Sequence, residues 1–305
     1  MSGSILCICA AHIDRRARAI AAVVAGSSNP VRLSTGWGGV ARNVAETLAR
    51  LGAPVALLSR VGGDAEADRL IAALAALGID TARIVRAPDA VTASYTALID
   101  PDGELVVGIA DMAIYDGMDE AFFAPLKPRL AGHAAWFVDA NLPASGLDAL
   151  LADKPAGTLV AADAVSVAKA PRLGDVLPRI DLLFCNVAEA AALAGPGPDV
   201  EAIAGHLLAR GAGAVVLTQG ARGALCADAN GLRQLPAVPA SLRDVTGAGD
   251  SLVAATLLAR LGGAPLPAAL ASGLAAAALT IASEHAVRPD LSPGLVAAVP
   301  GPVAA

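Results

Sequence analysis

The chain has 305 residues, 55% of them apolar and only 16% charged, which excludes a disordered or fibrous protein and allows a large buried core. Its formal net charge of −6 argues against nucleic acid as a partner, since that needs a basic surface. The four cysteines stand in apolar runs without a C-x-x-C pair, so they read as small buried residues and zinc is not expected.

In chain order, SILCIC (4–9) is the first short apolar run of the kind that forms a strand buried on both faces. Residues 12–34 show no convincing helical period. Residues 40–51 do, with Val44, Leu48 and Leu51 on one face and Gly52 placed to end the helix. PVALLSRV (54–61) predicts a strand, and 65–77 a helix with Leu70, Leu74 and Leu77 before Gly78. TASYTALI and ELVVGI flank Asp100-Pro101-Asp102-Gly103, a turn sequence that predicts a β-hairpin. AAWFVDA, GTLVAADA, DLLFCN and AVVLTQ, between 134 and 219, predict further strands. The uncharged stretch 261–283 is mostly Ala and contains Pro265 and Pro267, which predicts a core helix and no membrane span.

This alternation predicts an α/β fold, a mostly parallel central sheet with helices on both faces. One domain over 1–305 is expected, with a small β lid from roughly 12–35 and 90–112 above the site. No positively charged signal segment opens the chain, so a reducing, cytoplasmic setting is expected.

The strongest local signal is Asp244-Val245-Thr246-Gly247-Ala248-Gly249-Asp250-Ser251, ahead of an apolar helix over 252–261. Small residues at Gly247, Ala248 and Gly249 let the backbone approach an anion, and a helix N-terminus behind them adds positive potential. Asp250 would accept a hydroxyl proton beside that anion hole. The same helix end predicts a lowered pKa, hence a weak base. Asn186 and Glu189 are three apart and share a helix face, as metal partners or as a helix cap. Thr218 and Gly220 end a strand at the carboxyl edge, where open α/β sheets bind ligands. The first strand is not followed by G-x-G-x-x-G, which disfavours a nicotinamide dehydrogenase.

The GAGD loop, Gly38-Gly39-Val40-Ala41-Arg42-Asn43-Val44-Ala45, Val61-Gly62-Gly63-Asp64 and Asn186-x-x-Glu189, in this order, resemble the signatures of the ribokinase-like (PfkB) carbohydrate kinases. The resemblance implies a ribokinase-like fold and ATP-dependent phosphorylation of a small molecule, with Asp250 as base and Gly247 to Gly249 as anion hole. It implies acceptor contacts from Asp14, Gly38, Gly39 and Asn43, where a carboxylate can clamp a diol. Nucleotide contacts would come from Asn186, Thr218 and Gly220, Mg²⁺ would be held by Glu189 through water, and K⁺ would be a further option at Asp244 and Thr246. A homodimer through the lid is also implied as an option.

Within the family, residues 28–30, 38–43, 92–100, 103–107, 111–112, 139–141, 163–166 and 289–292 resemble the pseudouridine kinases, with Trp37 and Ala164 departing from them. That implies transfer to the 5′-hydroxyl of pseudouridine, with Ser94, Asp111 and Asn141 reading the base. Another nucleoside or pentose acceptor is the near alternative, and a non-catalytic ligand-binding relative a more distant one.

Overall fold

The first strand of the computed structural model, β1 (Ile5–Ile8), is buried at every residue, and two longer strands follow, β2 (His12–Ala19) and β3 (Val31–Gly38). The structure describes residues 3–301; residues 1–2 and 302–305 of the expected domain lie outside the described residues. Next come α1 (Val40–Arg50), β4 (Val55–Leu58), β5 (Arg60–Gly62) and α2 (Ala65–Ala76). After these lie β6 (Val85–Ala87), β7 (Ser94–Ile99), β8 (Leu105–Asp111) and α3 (Glu120–Phe123). The middle of the chain gives β9 (Ala135–Asp139), α4 (Ala144–Ala152), β10 (Leu159–Asp163), β11 (Leu182–Asn186), α5 (Val187–Ala194) and α6 (Val200–Ala209). The last elements are β12 (Val215–Thr218), β13 (Ala224–Asp228), β14 (Gly231–Leu235), α7 (Ala248–Leu261), α8 (Leu266–Ile281) and α9 (Pro293–Ala298).

The central sheet has eight strands in the order β14-β13-β12-β11-β10-β9-β1-β4. From β4 to β12 all pairings are parallel, and β13 and β14 add an antiparallel edge that the sequence does not announce. Alternation of side chains divides the core between the two faces. Leu6, Ile8, Trp136, Val138 and Leu183 pack on one side, and Ile5, Cys7, Leu57, Phe137 and Phe184 on the other. This is why the strands read as unbroken apolar runs.

α8 occupies the uncharged stretch and packs tightly on α7: a Cβ on Gly273 would lie 2.7 Å from Leu252 O. No helix among the described residues is long and apolar enough to cross a membrane.

A second sheet, β3-β2-β7-β8, stands apart from the first. Its strands leave and rejoin the main body at backbone crossings that admit only glycine. Gly39 has φ +103°, and a Cβ there would fall 2.3 Å from Ala10 O; one on Gly62 would fall 2.5 Å from Ala90 O. Asp64 caps α2 through Ala67 N and also binds Thr92 N and Oγ1, tying the start of α2 to the segment that enters β7.

Candidate active site

The parallel strands end together, and four carboxylates collect near their carboxyl edge: Asp139 on β9, Asp163 on β10, Asp250 on α7 and Asp14 on β2. α7 begins at Ala248, four residues earlier than its apolar run suggests, because Gly247 caps it in the left-handed region at φ 77°. A Cβ on Gly247 would lie 1.8 Å from Ala286 O. The first intrahelical bond runs from Ser251 N to Gly247 O at 2.9 Å, so the N–H groups of Gly249 and Asp250 precede the helical ladder and are suited to an anion.

Asn43 Nδ2 donates to Asp250 Oδ2 at 2.7 Å, and Asn43 Oδ1 accepts from Arg42 Nη1 at 2.7 Å. Arg42 is buried, donates to Trp37 O at 3.1 Å and is paired with Glu46. The guanidinium therefore fixes which end of the Asn43 amide faces Asp250. The amide of Asn43 thus holds the Asp250 carboxylate. Arg42 and Glu46 are missed by sequence reading, because i and i+4 ion pairs are ordinary on helices and carry no sign of burial.

Asp250 also corrects the expected pKa. Burial pushes its carboxyl up to about 7, with Asp139 and Asp14 adding negative charge, against the opposing hydrogen bond from Asn43 and the charge of Arg42. The helix end alone would favour the ionised form; removal from water and like charge outweigh it. Among the described residues Oδ1 has no hydrogen-bond partner, which leaves it to accept a proton.

Asp14 lies beside Gly38, where a Cβ would come 2.4 Å from Asp14 Oδ2. Asp14 Oδ1 and His12 Nδ1 are buried without a hydrogen-bond partner, although His12 Nε2 lies 3.0 Å from Asp14 Oδ1. A carboxylate next to a bare backbone fits a ligand hydroxyl. On the same face of β2, Arg16 Nη1 donates to Asp244 Oδ2 at 2.7 Å and Nη2 to Thr246 Oγ1 at 3.1 Å. Arg16 thus meets the two side chains expected to attract a monovalent cation.

Two of the expected base-reading residues lie on the other face of the second sheet from Asp14, and the third is engaged within the protein. Ser94 pairs with Ile13 and with Asp111, so strand alternation puts both on the face carrying Ile13. Tyr95 pairs with Asp14 and shares its face instead. Asn141 is buried, with Nδ2 donating to Asp139 Oδ1 at 2.8 Å and Oδ1 accepting from Lys169. Its amide is engaged inside the protein.

Asp139 itself is fully buried. Oδ2 accepts from Ala10 N and Ala41 N, each at 3.0 Å, and Oδ1 from Asn141 N at 2.9 Å besides the side chain. It joins the end of β1, the start of α1 and the end of β9.

Asn186 and Glu189 form a capping box on α5: Glu189 N donates to Asn186 Oδ1 and Asn186 N to Glu189 Oε2, each at 2.9 Å. Burial raises the Glu189 pKa. Asp163 is raised well above the carboxylate range by burial and by the charges of Asp250, Glu189 and Asp139. With Oε2 taken by the cap, Glu189 Oε1 is the oxygen suited to a water of a divalent cation.

Thr218 and Gly220 line a cavity of about 650 Å³ with Val238, Leu242, Ala248 and Gly249. The cavity thus adjoins the N-terminus of α7 and presents mostly aliphatic walls, which suit a flat heteroaromatic ring.

The sequence profile described as "pfkB family carbohydrate kinase" matches residues 4–292. The chain is 30% identical to the pseudouridine kinase of Escherichia coli (strain K12) over 270 residues, covering 87% of this chain and 86% of that protein. It is also 30% identical to the fructoselysine 6-kinase of the same strain over 249 residues, covering 80% and 89%. The solved structure of Arabidopsis thaliana ribokinase complexed with ribose and ATP superposes with a TM-score of 0.88 at 21% identity, covering 98% of this chain and 99% of that one.

Proposed function

The chain belongs to the pfkB family of carbohydrate kinases, an ATP-dependent kinase of ribokinase-like fold, and from that premise we propose that it transfers the γ-phosphoryl group of ATP to the 5′-hydroxyl of pseudouridine. The observation that carries the chemistry is Asp250, held by Asn43 between the N-terminus of α7 and the carboxylate of Asp14 on β2. Asp14 accepts two hydroxyl protons of the acceptor ribose, and Asp250 takes the proton of the attacking hydroxyl. As the new O–P bond forms, the bond from the γ-phosphorus to the β,γ-bridging oxygen breaks and ADP leaves. The N–H groups of Gly249 and Asp250 hold the transferring group in line. A base near pH 7 is well matched to this task. Magnesium bound with the nucleotide would be held by Glu189 through water and would supply charge neutralisation at the phosphates.

Pseudouridine is supported by the likeness to the Escherichia coli pseudouridine kinase and by the segments of β7 and β8 noted above. The equal identity to fructoselysine 6-kinase favours, as a second reading, another sugar acceptor in the same site. Turnover of ATP and Mg²⁺ with pseudouridine, uridine, ribose and fructoselysine decides between them. Pseudouridine should win in kcat/KM by at least about tenfold; a win for any other acceptor overturns the specificity and leaves the chemistry standing. A cytoplasmic setting suits the four unpaired cysteines, all buried.

We also infer self-association through the second sheet. Val31, Leu33, Val107 and Ile109 are exposed, and the strand register gathers them on the face turned away from Asp14. Light scattering on the purified chain should give twice the monomer mass, and Ile109→Glu should restore the monomer. A wild type that is monomeric at micromolar concentration disproves it.

A further inference from the structure

The hydrogen bond that holds Asp250 comes from an amide, and an amide has two ends of nearly equal size and opposite polarity. Turned one way, Asn43 offers Asp250 an N–H, which an ionised carboxylate accepts. Turned the other way it offers a carbonyl, which only a protonated carboxyl can meet. What decides the sense is Arg42, 6% exposed, whose Nη1 donates to Asn43 Oδ1 at 2.7 Å and to Trp37 O at 3.1 Å. A guanidinium donates and never accepts, so Asn43 Oδ1 is held on its side. Glu46, one turn further along α1 and 4% exposed, supplies the counter-charge. Its Oε2 pairs with Arg42 Nη2, while Oε1 accepts from Arg50 Nε at 2.8 Å and Nη2 at 2.6 Å. Burying such a pair gains little stability over aliphatic side chains of the same size, so stability does not account for it. The ionisable groups around Asp250 are Asp14 on β2, Asp139 on β9, Asp163 on β10 and, on α1, the cation Arg42. α8, packed on α7, carries no charged residue.

We propose that Arg42, neutralised by Glu46, is a positioning residue for the base: by holding Asn43 Oδ1 it makes the amide offer Asp250 an N–H and never a carbonyl, which favours the carboxylate that takes the acceptor's proton. The inference rests on the kinase reading of Asp250 and adds to it a residue that acts through another. Without the guanidinium the amide is free to turn, and its carbonyl then stabilises the protonated carboxyl. The cost to catalysis is a smaller ionised fraction of Asp250. It is large at low pH and is recovered once the pH is high enough to remove the proton.

The test is the pH profile of kcat/KM with ATP, Mg²⁺ and the best of the four acceptors above, for wild type, Arg42→Met, Asp250→Asn and the double variant. Methionine keeps most of the apolar bulk of the arginine stem and donates nothing. Arg42→Met should lose about tenfold at about pH 6 and less than about twofold at about pH 9, a rise of about one unit in the pH of half-maximal activity. In the Asp250→Asn background the same change should cost nothing further at either pH. A loss equal at all pH values, or one that multiplies with that of Asp250→Asn, is what a merely structural arginine gives, and it overturns the proposal. Where Arg42→Met does not fold, Arg42→Met/Glu46→Gln takes its place, since it leaves Glu46 no charge to bury, and the same outcomes decide. Melting without substrates separates this from failure of the kinase reading. The gain in Tm from Asp250→Asn grows with pH until Asp250 is ionised and then levels off. Arg42→Met should move that levelling point up by about one unit, whether or not any acceptor is phosphorylated. A levelling point that stays in place disproves the role of Arg42, and a wild type that phosphorylates no acceptor disproves the kinase reading alone.

Discussion

Asp250→Asn is expected to lower kcat by about 10³-fold, the scale of a lost general base, while ATP and acceptor affinities stay within about threefold. The amide keeps an oxygen for Asn43 Nδ2 and keeps the shape of the site, so binding survives while proton acceptance is lost. The same base predicts the pH profile. Because its carboxyl is pushed up to about 7, wild-type kcat/KM should fall tenfold per unit below that pH and level off above it. The variant's residual activity should not follow that curve. Stability moves the opposite way. The folded pKa lies above the unfolded value of 3.8, so the folded chain holds the proton more tightly. Ionisation therefore destabilises it increasingly as pH rises from about 4 to 7, and fully above that. Asn carries no such cost, so the variant should melt a few degrees higher at pH 8 and show no gain near pH 4. A variant with near-normal kcat, or one that gains equally at both pH values, contradicts the assignment.

Asp139→Asn is expected to be the most damaging isosteric change in the molecule. Both carboxylate oxygens face only donors: Ala10 N and Ala41 N on one side, the backbone and side-chain amide nitrogens of Asn141 on the other. Whichever way the new amide turns, its NH₂ group meets N–H groups in a site closed to water. Hydrogen bonds to a charged, buried acceptor are lost and two donors are left unpaired, a cost of about 3–5 kcal/mol. The urea midpoint should fall by about 1 M or more, and activity should fall with it because the start of α1 carries Arg42 and Asn43. A midpoint within about 0.2 M of wild type would show that Asp139 is not the brace described above.

Most of the fold is legible in the sequence because a parallel sheet buried on both faces has no alternation to hide, and its strands stand out as apolar runs between glycines and prolines. The β13–β14 hairpin escapes notice. β14 is Gly-Leu-Arg-Gln-Leu, polar and exposed at the sheet edge, and resembles a loop. In the site, Asp250 and its glycines are legible because the helix they open is continuous in sequence. Asp139 is not, since its partners Ala10 and Ala41 are 129 and 98 residues away. The raised pKa of Asp250 fails for the same reason: the helix end is local and visible, whereas the burial and the charges of Asp14 and Asp139 come from distant segments. The face on which Ser94 and Asp111 stand is not legible, because the face of a strand is fixed by register against its neighbour, and a single residue of offset reverses it.

The glycine crossings at Gly39 against Ala10 and at Gly62 against Ala90 have a mechanical consequence. Main chain rests on main chain at both places, with no side chain between to yield, so any residue larger than glycine at either would have to push backbone aside. The seat of the second sheet on the main body is thus fixed by two residues that have no side chain at all.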